Sequence, residues 1–334
     1  HLLEGSMSNS DNPRSRAETL RMLRNSLDEM SGSHVTLIGD IMLDRFHHGF
    51  ANNLNSRAPV PVLKIFRTDE SPGAAAHIAR GLTSMGLDID FYSFVGDDRE
   101  GEIVKKMLSD DGISTDGIET IDDHNTLVKI RFYGSRESLL DNPQILLQAD
   151  RGPINQAPDE ISHLLCDKAN SSLSNSCALV ISDYDKGSIN VEGASLLIST
   201  ARKNKIPVIV DPKLTGLEIS RGATAVLVER RGMELMRRRL ECDDSISAAK
   251  ELISTYEWDA LVVLGGIDGI TLYQSNSEVL HYPCNSPSPK QQIGLHDAAS
   301  TALALALGHG HSMEDAALLV TAASCNSLEI ANLS

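Results

Sequence analysis

Asp297 stands in the string Ile293-Gly294-Leu295-His296-Asp297-Ala298-Ala299-Ser300, just ahead of the apolar run Thr301 to Leu307. A carboxylate that follows a glycine turn and opens a helix suits phosphoryl transfer. The helix start offers unpaired backbone N–H groups and positive dipole potential to phosphate oxygens. The carboxylate can take a proton from an attacking hydroxyl. Gly294, Leu295 and His296 then form the candidate anion hole, although Leu295 and His296 are bulkier than a phosphate cradle favours.

Three further groupings carry polar side chains with a chemical use. In Gly39-Asp40-Ile41-Met42-Leu43-Asp44, Asp40 and Asp44 can accept hydrogen bonds from sugar hydroxyls; an isolated Asp in that place reads as a turn or helix cap. In Ser71-Pro72-Gly73-Ala74-Ala75-Ala76-His77, the small residues Gly73 and Ala74 let a ligand approach the backbone, and His77 lies one turn into a helix. Read alone, that segment is plain packing. Ser182-Asp183-Tyr184-Asp185-Lys186-Gly187 and Asp211-Pro212-Lys213 each set an acid and a lysine beyond a buried strand, where an anionic substrate can be met.

The elements that must hold these residues alternate. Short β-rich runs at Val35–Ile38, Phe91–Val95, Ala178–Ile181, Pro207–Val210 and Leu261–Leu264 each end in Gly or Asp. Helical spacing follows at Leu20–Met30, Ala74–Met85, Gly101–Leu108, Val191–Lys203 and Ile246–Tyr256. This is the pattern of an α/β fold with a doubly wound, mostly parallel sheet, whose ligands lie beyond the carboxyl ends of the strands. Two segments, about 44–67 and 126–149, break the rhythm with alternating strand-like pieces. They predict a small β lid over the site that also serves as a homodimer surface. Residues 1–6 read as an expression scar, 7–34 as an N-terminal extension with one helix, and 35–334 as the catalytic-type domain.

The 334 residues carry a formal net charge of −16, which argues against a general nucleic-acid binder. No apolar run approaches the ~18 residues of a membrane span, and no secretory signal is visible. Cys166, Cys177, Cys242, Cys284 and Cys325 lack CxxC spacing and read as reduced thiols of a cytoplasmic protein, with no metal site. Gly308-His309-Gly310-His311 reads as a solvated turn, and the arginines between Arg230 and Arg239 as a solvated helix face.

The order of these strings resembles the ribokinase (PfkB) family of carbohydrate kinases, and within it the heptose 7-phosphate kinase/ADP-heptose synthase group. The resemblance rests on Gly39 to Arg45, Arg57-Ala58-Pro59-Val60-Pro61-Val62, Pro72 to Ala76, Val95-Gly96-Asp97-Asp98, Ser182 to Gly187, Pro207 to Lys213 and Arg221-Gly222-Ala223-Thr224. It runs from about Val35 to the end of the chain. It implies a ribokinase-like fold with a small β lid and transfer of the ATP γ-phosphate, with Mg²⁺, to a hydroxyl of a sugar or sugar phosphate. By the same resemblance Asp297 is the base, Asp40 the sugar-contacting acid and Gly73-Ala74 the glycine pair. Asp44, His77, Asp183 and Lys186 join the substrate set, and Asp211, Lys213, Glu229, Gly266, Gly269 and Thr321 the nucleotide set.

The chain departs from the family pattern mainly on the nucleotide side. Leu295 and His296 replace Ala and Gly, His77 replaces Asn, and Ala74 replaces a second Gly. Glu229-Arg230-Arg231-Gly232 stands where an Asn-x-x-Glu motif positions Mg²⁺ and phosphates. Leu264 opens the nucleotide loop in place of Thr, Thr321, Ser324 and Cys325 stand at the expected adenine pocket, and Arg57 replaces a lid acid. Two functions follow: an ATP-dependent sugar-phosphate kinase, or a catalytically impaired homologue that binds a sugar phosphate or a protein partner. A Rossmann oxidoreductase is disfavoured, because no strand runs into Gly-x-Gly-x-x-Gly.

Overall fold

The computed structural model describes residues 13–29, 32–135, 143–284 and 294–330. The expected scar at 1–6, Ile293 and part of the second lid segment lie outside the described residues. In chain order the first half contains α1 (Pro13–Asp28), β1 (His34–Gly39), β2 (Ile41–Leu54), β3 (Pro61–Ala74), α2 (Ala75–Ser84) and β4 (Asp88–Gly96). There follow α3 (Arg99–Asp110), β5 (Ile118–Ile121), β6 (Leu127–Ser135), β7 (Gln144–Arg151) and α4 (Asp159–Ser172). The second half has β8 (Ser176–Ser182), α5 (Val191–Lys203), β9 (Val208–Asp211), β10 (Ala225–Glu229), α6 (Arg230–Arg239) and α7 (Ser245–Tyr256). It closes with β11 (Ala260–Leu264), β12 (Ile270–Gln274), β13 (Leu280–Tyr282), α8 (Leu295–Gly308) and α9 (Met313–Ile330).

The main sheet has the order β13-β12-β11-β10-β9-β8-β1-β4-β5. From β5 to β11 neighbours run parallel, and β12 and β13 add an antiparallel edge. Both faces are covered, so its strands read as unbroken apolar runs. Alternate residues serve opposite layers: Ala178 and Val180 pack into one core, Leu179 and Ile181 into the other. Thr36 interrupts β1 with a hydroxyl, which meets the hydroxyls of Ser172 and Ser176 at 2.9 and 2.6 Å. A buried polar group is thus satisfied inside the sheet.

The lid is a second sheet in the order β3-β2-β6-β7. β2 and β3 are each 14 residues long, well beyond the short pieces expected. β2 starts at the core, where Ile41, Met42 and Leu43 are buried, and runs outward to Leu54, which is 69% exposed, and antiparallel β3 returns from exposed Pro61 to buried Ala74. Arg45 ties this sheet down, donating to Glu70 at 2.7 Å and to Glu100 on α3 at 3.3 Å.

Two expectations are corrected. The first helix begins at Pro13, not near Leu20. Cys284 and Cys325 are disulfide-paired, not free thiols. β13 and α9 bring their Cα atoms to 5.9 Å, within the span a disulfide closes, across a 41-residue separation that no spacing rule reveals. Cys166, Cys177 and Cys242 are free.

Candidate active site

The acidic residues gather beyond the carboxyl ends of β1, β8, β9 and β10, at the entry of α8. Gly294 caps α8 at φ +79°, a backbone state natural to glycine. The amides of the first turn have no intrahelical acceptor and point outward. Asp297 lies in that turn, 7% exposed. Its Oδ2 accepts a hydrogen bond from His77 Nδ1 at 2.9 Å, while Oδ1 is buried with no partner. Burial pushes the Asp297 pKa up, and the hydrogen bond from His77 opposes it. The His77 pKa is raised as well: its bond to Asp297 lifts the imidazole, against burial.

Asp40 is held by backbone donors. It is 1% exposed, and its carboxylate accepts the backbone N–H groups of Tyr184 (2.8 Å), Lys186 (3.2 Å) and Ser188 (3.1 Å). Burial raises its pKa. A carboxylate ringed by backbone donors organises the loop after β8.

Asp44, one turn of pleat further along β2, keeps a more open position. Arg131 on β6 donates to its Oδ1 at 3.2 Å. A Cβ on Gly73 would lie 2.3 Å from its Oδ2, so the bare glycine makes room for this carboxylate. Burial raises the Asp44 pKa, and Arg131 pulls against it. Arg131 itself is 8% exposed and stacks over Phe46 at 5.5 Å. Sequence reasoning missed it; its only local mark is a cation sharing a strand face with buried Tyr133. Ala74 adopts φ +54°, the strained geometry expected where a glycine is replaced.

On the opposite side a cavity of about 550 Å³ is lined by Asp183, Asp211, Lys213, Glu229, Arg231 and His296, among others. Lys213 Nζ sits 5.9 Å above the Tyr184 ring. Tyr184 feels Asp297, Asp211, Asp44 and Asp40 together, and burial with this negative surround pushes its hydroxyl pKa well up. Burial, then Asp40 nearby, lifts Asp183 to about 7. His296 fills the gap between two acids, with Nδ1 2.9 Å from Asp211 Oδ1 and Nε2 2.9 Å from Glu229 Oε1. Burial alone would depress the imidazole; the two carboxylates overcome it and set the pKa at about 10. Both ring nitrogens therefore donate, and the ring is a fixed cation.

The remaining nucleotide-side residues do not join this group. Gly269 lines a separate cavity of about 620 Å³ with Arg230 and Asp268, which pair with each other. Gly266 is buried in the turn after β11 at φ +59°. Thr321 is fully buried and donates to the Ala317 carbonyl at 2.8 Å, inside its own helix. Lys186 contributes its backbone amide to Asp40, and its side chain borders a small pocket with His124 and Pro153.

The arrangement fits a phosphate better than a metal. The α8 amides and Lys213 supply anion-binding groups. The acids Asp211 and Glu229, on which a divalent ion would depend, are occupied by His296. Among the described residues, no group of three or more His, Cys, Asp or Glu is set to hold a metal ion. No helix there is long and apolar enough to cross a membrane.

The model of the pfkB family carbohydrate kinases matches residues 33–330. Over 299 residues the chain is 31% identical to the bifunctional protein HldE of Escherichia fergusonii and 30% identical to that of Escherichia coli O9:H4. The match covers 89% of this chain but 60% of each relative's length. Phosphofructokinase-2 from Escherichia coli, in complex with substrates and products, superposes with a TM-score of 0.68 at 18% identity, covering 89% of this chain and 93% of the other. Arabidopsis thaliana ribokinase complexed with ribose and ATP gives 0.63 at 14%, covering 88% and 92%. These two likenesses establish the ribokinase-like fold. With the family model spanning nearly the whole chain and the strand-end acids in place, the chain belongs to the pfkB family of carbohydrate kinases.

Proposed function

We propose that the chain transfers the γ-phosphoryl group of ATP to a hydroxyl of a sugar phosphate, in the manner of the heptose 7-phosphate kinases it resembles. The carrying observation is Asp297, a buried carboxylate in the first turn of α8 that lies between Asp44–Arg131 and the Lys213 cavity. Asp44, seated over Gly73, receives sugar hydroxyls. Arg131 offers charge to an anionic substituent, and Asp40 keeps the 184–188 loop in shape. The α8 amides receive the transferring phosphoryl group, Lys213 steadies the nucleotide phosphates, and Asp297 is the basic carboxylate of the site. Kinases of this family use ATP and a divalent metal. Here His296 already bridges Asp211 and Glu229, so the proposed steps rest on the protein's own groups.

The test is ADP release and ³¹P NMR with ATP–Mg²⁺ and heptose 7-phosphate, alongside other phosphorylated sugars. Transfer that falls by about 10²-fold or more in Asp297→Asn supports the reading. No transfer to any of these sugars, with an unchanged melting temperature in millimolar ATP, overturns it.

A second reading, a sugar-phosphate binder without turnover, is favoured by one observation: His296 and the buried Thr321 remove groups from the nucleotide side. It requires sugar-phosphate binding by calorimetry with no ATP heat. The lid suggests a homodimer, since Leu54, Phe66 and Leu147 are 69%, 59% and 58% exposed. Phe66→Asp is expected to convert a dimer to a monomer in light scattering.

A further inference from the structure

The two oxygens of Asp297 differ. Oδ1 is buried with no partner, whereas Oδ2 meets His77 Nδ1 at 2.9 Å. A hydroxyl that gives its proton to a carboxylate must come within about 2.6–3.2 Å of it. At Oδ2 the imidazole nitrogen already stands at that distance. The ring also lies over the α8 entry turn, since a Cβ on Gly294 would be 3.1 Å from its Cε1. It therefore covers both the carboxylate and the mouth of the amide turn that receives the phosphoryl group.

Of the two partners, His77 is the one placed to leave. The Asp297 side chain, in the first turn of α8, is 10% accessible, and that of His77 is 49% accessible. Around His77 the α2 residues Ala76, Ile78 and Ala79 are buried and anchor the backbone, so the motion is confined to the side chain. The bond to Asp297 is the ring's one hydrogen bond among the described residues. An exposed side chain changes rotamer far faster than an enzyme turns over.

We propose that the His77 ring is a removable cap on the catalytic carboxylate, displaced by the acceptor sugar phosphate, whose hydroxyl takes the ring's place at Oδ2. The inference rests on the kinase reading above, and Asp297 stays the base. Once seated, the hydroxyl gives its proton to Oδ2 as its oxygen bonds to the γ-phosphorus of ATP. The bond from that phosphorus to the bridging oxygen breaks, and ADP leaves with the electron pair. The cap reserves the base for a molecule whose contacts elsewhere, at Asp44 and Arg131, are strong enough to displace the ring. Water has no such contacts, so the capped chain is guarded against splitting ATP without transfer. Part of the acceptor's binding free energy is spent on breaking the His77–Asp297 bond.

The experiment compares the full chain with His77→Ala, His77→Asn and Asp297→Asn, each checked for folding by circular dichroism. Calorimetry with heptose 7-phosphate is expected to show binding tightened by about 5–10-fold in both His77 variants. ADP release from ATP–Mg²⁺ without sugar is expected to rise by about tenfold in the same two variants, because water then reaches Oδ2. Asp297→Asn is expected to tighten sugar-phosphate binding as well, since it weakens the hold on the ring, while transfer falls by about 10²-fold or more. Imidazole NMR of the untouched chain gives a readout independent of turnover: the His77 Nδ1–H signal bonded to Asp297 is expected to vanish on saturation with heptose 7-phosphate. If that signal persists in the saturated complex, or if both His77 variants bind the sugar phosphate more weakly than the parent, the cap is overturned and the kinase reading stands. If the parent chain transfers no phosphate at all, the kinase reading falls and takes this inference with it.

Discussion

The two halves of the cleft handle their charges in opposite ways. On the lid side, Asp44 and His77 retain partly exposed polar side chains, Arg131 is buried against Asp44, and glycine at position 73 leaves room for that carboxylate. On the nucleotide side the charges close on one another. His296 spans Asp211 and Glu229, Arg230 pairs with Asp268, Thr321 turns into its own helix, and Cys284 joins Cys325. A binding site keeps some hydrogen-bonding capacity unspent, whereas a region that satisfies itself gains stability and loses capacity for a ligand.

Substitutions on the two sides should therefore separate binding from stability. Asp44→Asn removes the negative charge that pairs with Arg131 and turns one acceptor oxygen into a donor, so it is expected to weaken sugar-phosphate binding by about 10²-fold while leaving ATP affinity unchanged. Calorimetry with each ligand checks this, and equal losses for both would erase the distinction.

His296→Gln should act mainly on stability. The folded-state pKa, about 10, lies above the unfolded value. The imidazolium thus contributes fully below about pH 6.5, and its contribution fades as pH rises through about 10. A loss of about 2 kcal/mol is expected at pH 6, shrinking toward pH 10, as read from urea unfolding at several pH values. The same variant frees Asp211 and Glu229 and should show a Mn²⁺ signal in titration that the parent lacks.

Asp183→Asn has the opposite sign. Its folded-state pKa of about 7 means that the native state resists ionisation. Parent stability falls between about pH 4 and pH 7. The neutral amide should raise stability by on the order of 1 kcal/mol at pH 8 and leave it unchanged near pH 4. The smallest effect is expected from Ala74→Gly, which relieves a non-glycine φ of +54°. It should add roughly 0.5–1 kcal/mol, with ligand binding intact.

Much of the scaffold was legible because its signals are local. Apolar runs ending in Gly or Asp marked β1, β4, β8, β9 and β11, and Val191–Lys203 appeared as a helix with the limits α5 shows. The Gly294 turn before an Ala- and Leu-rich segment marked the entry of α8. The roles of individual acids were less legible. Asp40 and Asp44 sit four residues apart on similar ground. Only the loop from Tyr184 to Ser188, some 140 residues downstream, commits the first to backbone amides. Arg131 and Thr321 show the same limit: one cation lies buried beside Asp44, and one hydroxyl expected at a ligand bonds within its own helix.

By itself, then, the sequence determined the α/β architecture, the strand ends at which polar groups gather, and the helix entry that carries Asp297, since these depend on periodicity and turn residues a few positions apart. Tertiary structure alone decided what surrounds that carboxylate. His77 reaches it across 220 positions of sequence, and His296 reaches Asp211 across 85. Hydrogen bonds of that range depend on how helices pack over the sheet, and no local pattern records which nitrogen will meet which oxygen.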